Sequence, residues 1–144
     1  MRNRNYSKEL IEGYGKVVKE ANATTDKAQD LLKVYLVIQT IEKFTKDAAS
    51  AVQLSIAVKG ESIETQFGCL AVMNYVDSLR KGISEFYNSE LEPSENIDHL
   101  TKGLMGVTSP EYNLLKPFGE VKIPLLDDLI DLKEGLLDLL AYKA

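Results

Sequence analysis

The first 92 residues of the chain contain no proline, and all four prolines lie at position 93 or beyond. An interior proline removes a backbone donor and clashes with the preceding turn, so it kinks or breaks a helix. Long uninterrupted helices are therefore permitted in this part of the chain. Apolar residues there recur at three- and four-residue spacing, which is the period of a helix packed along its length. The pattern predicts an all-α protein.

We expect a bundle of four main helices. The first should run from Ser7, as its N-cap, to about residue 21, and the second from 26 to 59, where Gly60 ends it. A third is expected over about 62–88. The last should begin with a proline in its first turn and span about 124–142.

The long connection between the third and last helices should hold one or two short helices. One is expected over about 94–105, stopped by Gly106, and Ser109-Pro110-Glu111 resembles the start of another. The topology is therefore not a plain up-and-down bundle. A chain of 144 residues is long enough to bury a core, so we interpret residues 1–144 as a single helical-bundle domain.

One segment fits two secondary structures. Residues 52–58 alternate apolar with polar or small side chains, which is the period of a strand, although they continue a helical pattern. A strand needs a partner, and Val121-Lys122-Ile123 is the one candidate that the sequence offers. We therefore favour helix here.

Charge is unevenly distributed along the chain. Residues 1–60 carry ten Lys/Arg and seven Asp/Glu, a net charge of +3, whereas residues 61–144 carry seven and fifteen, a net charge of −8. An acidic half disfavours nucleic acid, because each phosphate contact needs a cation. It equally disfavours an anionic lipid surface. The charge favours a protein partner, with a basic face, or a homo-oligomer.

The compartment is inferred from three absences in the sequence. The basic N-terminal residues are followed by no apolar segment of the kind found in a signal peptide, and no run of about 18 apolar residues predicts a membrane span. Cys69, the one cysteine, cannot form a disulfide within the chain. We therefore expect a cytoplasmic protein without membrane insertion.

A search for catalytic and metal-binding motifs predicts no enzyme, cofactor or metal site. His99 is the one histidine, so no histidine pair or triad can hold a metal, and Cys69 is better explained as a small core residue than as a nucleophile. Acidic clusters at 90–95 and 127–131 lack the residue order of a calcium loop. Solvated helix faces account for both clusters.

The last helix is unusually apolar, with leucine or isoleucine at nine of the sixteen positions from 125 to 140. Such a helix lies at the centre of a bundle or is half covered by another chain. We predict a non-catalytic interaction module, an inhibitor, an immunity factor or an assembly subunit, acting through apolar helical surfaces. The predicted partner-binding residues are apolar positions with an acidic rim: Leu126, Ile130, Leu137, Leu140, Asp127, Asp131 and Asp138.

Two other functions fit the sequence. A small apolar ligand could bind between the helices, in a cavity lined by Tyr35, Phe67, Tyr75 and Phe86. An enzyme that uses only carboxylates and tyrosines is the third possibility, and it requires a concave site in which acid pKa values are strongly shifted.

Overall fold

The computed structural model describes residues 6–107 and 124–143, with the side chains of 124–127 outside the description. These residues form five α-helices and no strand: α1 (Tyr6–Glu20), α2 (Asp26–Lys59), α3 (Ile63–Ser84), α4 (Pro93–Met105) and α5 (Pro124–Ala141). The all-α fold is confirmed, and residues 52–58 are helical. The short helix expected after Ser109 lies outside the described residues.

The two longest helices begin at side-chain caps. The Thr25 hydroxyl accepts a hydrogen bond from the backbone N–H of Ala28 at 3.1 Å, and Ser62 does the same for Thr65 at 3.2 Å. Helix α2 ends at Gly60, whose φ of 76° lies in the left-handed region. Side-chain caps and a terminal glycine satisfy the backbone groups that helix ends leave unpaired. The bounds of α2 agree with those predicted.

Contacts between residues of different helices show how the helices run relative to one another. Tyr14 contacts Gln29 and Tyr6 contacts Phe44, so α1 and α2 are antiparallel. By the same reasoning, α5 runs parallel to α1 and packs mainly against it, with Gly135 beside Tyr6 and the Tyr142 ring beside Tyr14. Helix α3 packs mainly against α2. As a result, the start of α2 and the ends of α1 and α5 meet at one end of the bundle, and the Lys27–Glu92 ion pair places the start of α4 there as well.

Helix α5 supplies the centre of the core. Its leucines at 129, 132, 136 and 139 have no exposed surface, and they pack with apolar residues from the other four helices. Of the two explanations for this apolar helix, a central position in the bundle is the one observed. Gly135 permits the close approach of α1, since an added Cβ would lie 2.9 Å from the Cβ of Tyr6.

Two helix ends differ from the sequence-based expectation. Ser7 lies within α1 and is not its N-cap, and its hydroxyl instead donates to the Asp138 carboxylate at 2.5 Å. Helix α3 stops at Ser84, although apolar spacing predicted a helix to about 88. The Asn96 side chain binds both the backbone N–H and the C=O of Asn88, which holds Asn88 outside the helix.

Candidate functional site

The predicted partner-binding residues of α5 lie mostly inside the domain. Leu140 and Asp131 are buried, with 3% and 7% exposure, while Ile130 and Leu137 are half-buried against the core. Asp138 is exposed and accepts a hydrogen bond from Ser7. The side chains of Leu126 and Asp127 are outside the description. The described part of α5 therefore offers little apolar surface to a partner.

The aromatic residues predicted to line an apolar cavity have very different environments. Tyr75 is buried and Phe67 is half-buried, whereas Tyr35 is 55% exposed and Phe86 is 38% exposed. The Tyr35 hydroxyl accepts a hydrogen bond from the Gln39 side chain at 2.7 Å. None of the four aromatic residues lines the pocket described below.

Other expectations can be compared with the described part of the chain. There, no group of three or more histidine, cysteine, aspartate or glutamate side chains is placed to hold a metal ion. Cys69 on α3 and His99 on α4 are both half-buried. No helix among the described residues has the length and apolar composition needed to cross a membrane.

A polar pocket of about 360 Å³ opens at the end of the bundle where α1, α2, α4 and the end of α5 meet. Three carboxylates line it, from Asp26 and Asp30 on α2 and Asp98 on α4. Two lysines, Lys33 and Lys143, supply positive charge. The volume falls within the range of small-molecule sites, although most such sites are more apolar.

Lys33 is the charged residue in this pocket that is most withdrawn from solvent, with 4% exposure. Its ammonium donates to the backbone carbonyl of Tyr142 and lies 5.3 Å from the centre of the Tyr14 ring. Burial lowers the pKa of Lys33; the nearby Asp30 carboxylate opposes this effect, and the charge of Lys143 adds to it. A positive charge near the C-terminus of a helix is stabilising. Helix α5 has no basic residue in its own last turn, and Lys33 supplies that charge from α2.

Tyr14 forms another wall of the pocket. Its hydroxyl donates to the carbonyl of Gln29 at 3.3 Å, and its ring meets that of Tyr142 edge-on at 6.2 Å. Burial raises the pKa of Tyr14, and the negative charge of Asp30 raises it further. The Tyr14 hydroxyl therefore stays neutral, and its ring lies beside the Lys33 ammonium.

Sequence reasoning missed this pocket because it did not place Lys33 on the buried face of α2. Lys33 and Val37 are buried there, whereas Leu31, which was expected on that face, is 57% exposed. The sequence did contain one signal of a buried lysine, because Lys33 lies at helical spacing from apolar residues of α2. The convergence of α1, α4 and α5 on this lysine depends on tertiary structure.

A second feature lies in the hairpin formed by the end of α2 and the start of α3. No residue from 49 to 71 is buried, so we call this segment the arm. Charged residues are absent from 48–58 and from 65–76. Large apolar side chains of the arm are nevertheless exposed, among them Leu54 at 64%, Val58 at 74% and Ile63 at 62%.

The outer face of α3 continues this apolar surface. Ile63, Phe67, Leu70 and Asn74 follow one another at alternating four- and three-residue spacing, which places them on one face of the helix. Ile63 is 62% and Leu70 57% exposed, and the adjacent Met73 is 39% exposed. A row of this period is typical of a helix packed against another helix.

Charges of opposite sign lie at the two ends of α3. Glu61 and Glu64 are at its start, and Arg80 and Lys81 are at its end. All four residues are exposed. Lys81 also forms an ion pair with Asp77 at 3.3 Å.

Comparisons of the chain with models of known protein families, with curated proteins and with solved structures found no match.

Proposed function

We propose that the protein is a non-catalytic assembly module that binds a second copy of itself through the arm and the outer face of α3. The supporting observation is the concentration of exposed large apolar side chains in two helical segments without charge. Extended apolar patches on a protein surface mark interaction sites, and charged residues are depleted at the centre of interfaces.

The pattern of charge favours a second copy as the partner. Near the two-fold axis of a symmetric dimer, each residue lies close to the same residue of the other copy. Charged residues at the centre of the interface would therefore repel each other. The uncharged stretches remove that repulsion. Antiparallel packing of one α3 on another would bring Glu61 and Glu64 opposite Arg80 and Lys81. The interface would thus have an apolar centre and complementary charges at both ends.

The first experiment measures mass as a function of concentration for a matched pair of variants. Leu70 and Leu31 are both 57% exposed, but only Leu70 lies on the proposed interface. We expect a dimer for the wild type and for Leu31→Glu, and a monomer for Leu70→Glu, in analytical ultracentrifugation. A monomeric wild type, or a dimeric Leu70→Glu, would contradict the proposal.

A second experiment tests the antiparallel arrangement. One variant combines Glu61→Lys with Glu64→Lys, and another combines Arg80→Glu with Lys81→Glu. Each variant alone would place like charges at both ends of the interface, whereas a mixture would place unlike charges there. We expect self-association of each variant to weaken and a heterodimer to form on mixing, as detected by native mass spectrometry. Equal self-association before and after mixing would exclude this packing.

The second candidate function, a protein that binds a small ligand, is supported by the pocket at the other end of the bundle. The pocket is lined by charged and tyrosine side chains, so it does not match the apolar ligand expected from the sequence.

A further inference from the structure

We propose that Lys33 is a nucleophilic amine that captures a small uncharged aldehyde in the polar pocket, as a reversible imine. The geometry that supports this proposal is a lysine withdrawn from solvent, at 4% exposure, that lines a cavity of about 360 Å³. Such a cavity admits a compound of a few heavy atoms. The site is independent of the arm.

The burial of Lys33 matches one of the two known ways of activating a lysine, and Lys143 makes a smaller contribution of the second kind. Lysine becomes nucleophilic when it is desolvated or when another cation stands nearby. Here the backbone carbonyl of Tyr142 and the ring of Tyr14 hold the amine, and the charge of Lys143 acts on it. Burial lowers the pKa of Lys33 more than the charge of Asp30 raises it, and Lys143 lowers it further, so more of the reactive neutral amine is present near neutral pH.

The reaction balances within this pocket. Lys33 loses a proton, and its nitrogen attacks the carbonyl carbon to form a carbinolamine. The carbon–oxygen bond then breaks as the carbon–nitrogen double bond forms, and the oxygen leaves as water. In this proposal Asp30, three residues before Lys33 on α2 and lining the same pocket, accepts the first proton and returns it to the leaving oxygen.

The pocket charges restrict the class of aldehyde. Carboxylates of Asp26, Asp30 and Asp98 line the pocket and disfavour anionic carbonyl compounds. Hydroxyl groups on the aldehyde could bond to these carboxylates or to Ser94. We therefore assign the site to small hydroxyaldehydes, for which glycolaldehyde is a suitable probe.

The experiment traps the imine on the wild-type protein. Glycolaldehyde is added with cyanoborohydride at neutral pH, and each modified lysine is quantified by peptide mass spectrometry. The internal reference is Lys27, whose side chain is 72% exposed. The lowered pKa of Lys33 raises the fraction of its reactive neutral amine. We therefore expect Lys33 to react faster than Lys27.

The opposite result is equally clear. A lysine that serves only to cap α5 would be shielded by its burial, so Lys33 would react more slowly than Lys27, and this outcome would overturn the proposal. The rate at Lys33 should also rise with pH, under the influence of the groups that face it: Tyr14, Asp26, Asp30, Asp98, Tyr142 and Lys143. Lys33→Arg keeps the cation and should lose this adduct while the other lysines react as before.

Discussion

Gly82 and Gly103 bring the backbones of α3 and α4 into direct contact. A Cβ atom on Gly82 would lie 2.9 Å from the carbonyl oxygen of Gly103, and one on Gly103 would come still closer to the carbonyl oxygen of Gly82. Both residues are buried. The crossing of these helices therefore depends on two positions that have no side chain.

Replacement of Gly103 by alanine tests this contact. The added methyl group meets backbone atoms that cannot rotate away, so we expect Gly103→Ala to lower the free energy of unfolding by about 3 kcal/mol. Gly13→Ala is the control, because Gly13 is an exposed position of α1 with no atom within 4 Å of the added carbon. That change should stabilise by up to about 1 kcal/mol. Urea denaturation measures both, and equal effects would show that the close contact is absent.

The central position of α5 gives a second prediction. Leu136 has no exposed surface, so Leu136→Ala should leave a cavity and cost about 2–5 kcal/mol of unfolding free energy. Leu31→Ala, at a position 57% exposed, should cost less than about 0.5 kcal/mol. If thermal or urea unfolding gave similar losses for the two variants, α5 would not lie at the centre of the core.

Asn96 ties the end of α3 to the start of α4. It is 4% exposed, and its side chain binds the N–H and the C=O of Asn88 at 3.0 and 2.9 Å. We expect Asn96→Ala to destabilise the protein by about 1–3 kcal/mol, because both bonds are lost together. Gln39→Ala changes an exposed amide of α2, outside the proposed interface, and should have little effect. A neutral Asn96→Ala would mean that water replaces the amide without cost.

Burial of Lys33 should make stability depend on pH. Its pKa in the folded protein lies below the ordinary 10.5, so the folded state binds fewer protons than the unfolded state between these two values. Stability should therefore rise with pH across that interval. Above pH 10.0 the raised pKa of Tyr14 opposes this rise, and above pH 10.5, where Lys33 no longer contributes, stability should fall.

Lys33→Met isolates the contribution of this lysine. Urea denaturation from neutral pH to about pH 10 should give a flatter dependence for Lys33→Met than for the wild type. Lys27→Met removes an exposed lysine and should leave the slope unchanged. If the slopes of the wild type and Lys33→Met coincided, the folded-state pKa of Lys33 would be ordinary.

Local signals in the sequence predicted the helices well. Thr25 and Gly60 mark the ends of α2, because a cap and a left-handed glycine act through neighbouring backbone groups. The end of α3 was predicted too late, since it depends on Asn96, which lies in another helix. For the same reason, no local pattern could show that Lys33 meets Tyr14 and Tyr142.

The candidate sites required the fold. The apolar composition of α5 indicated either a central helix or an interface, and only packing decides between them. Exposure of Leu70 likewise cannot be obtained from spacing, because the buried and outer faces of α3 are both rich in apolar residues. The absence of charge in 48–58 and 65–76 is visible in the sequence, and it becomes informative once those segments are known to be unburied.

The packing of α1 on α5 has a consequence for synthesis on the ribosome. Helix α1 leaves the exit tunnel long before its principal neighbour has been translated, while α2, α3 and α4 can already associate with one another. Its two buried tyrosines can contact α2 early, but their contacts with Gly135 and Tyr142 must wait until α5 emerges. Part of the apolar face of α1 thus stays uncovered until α5 has been made, and during this interval a chaperone would have most to bind.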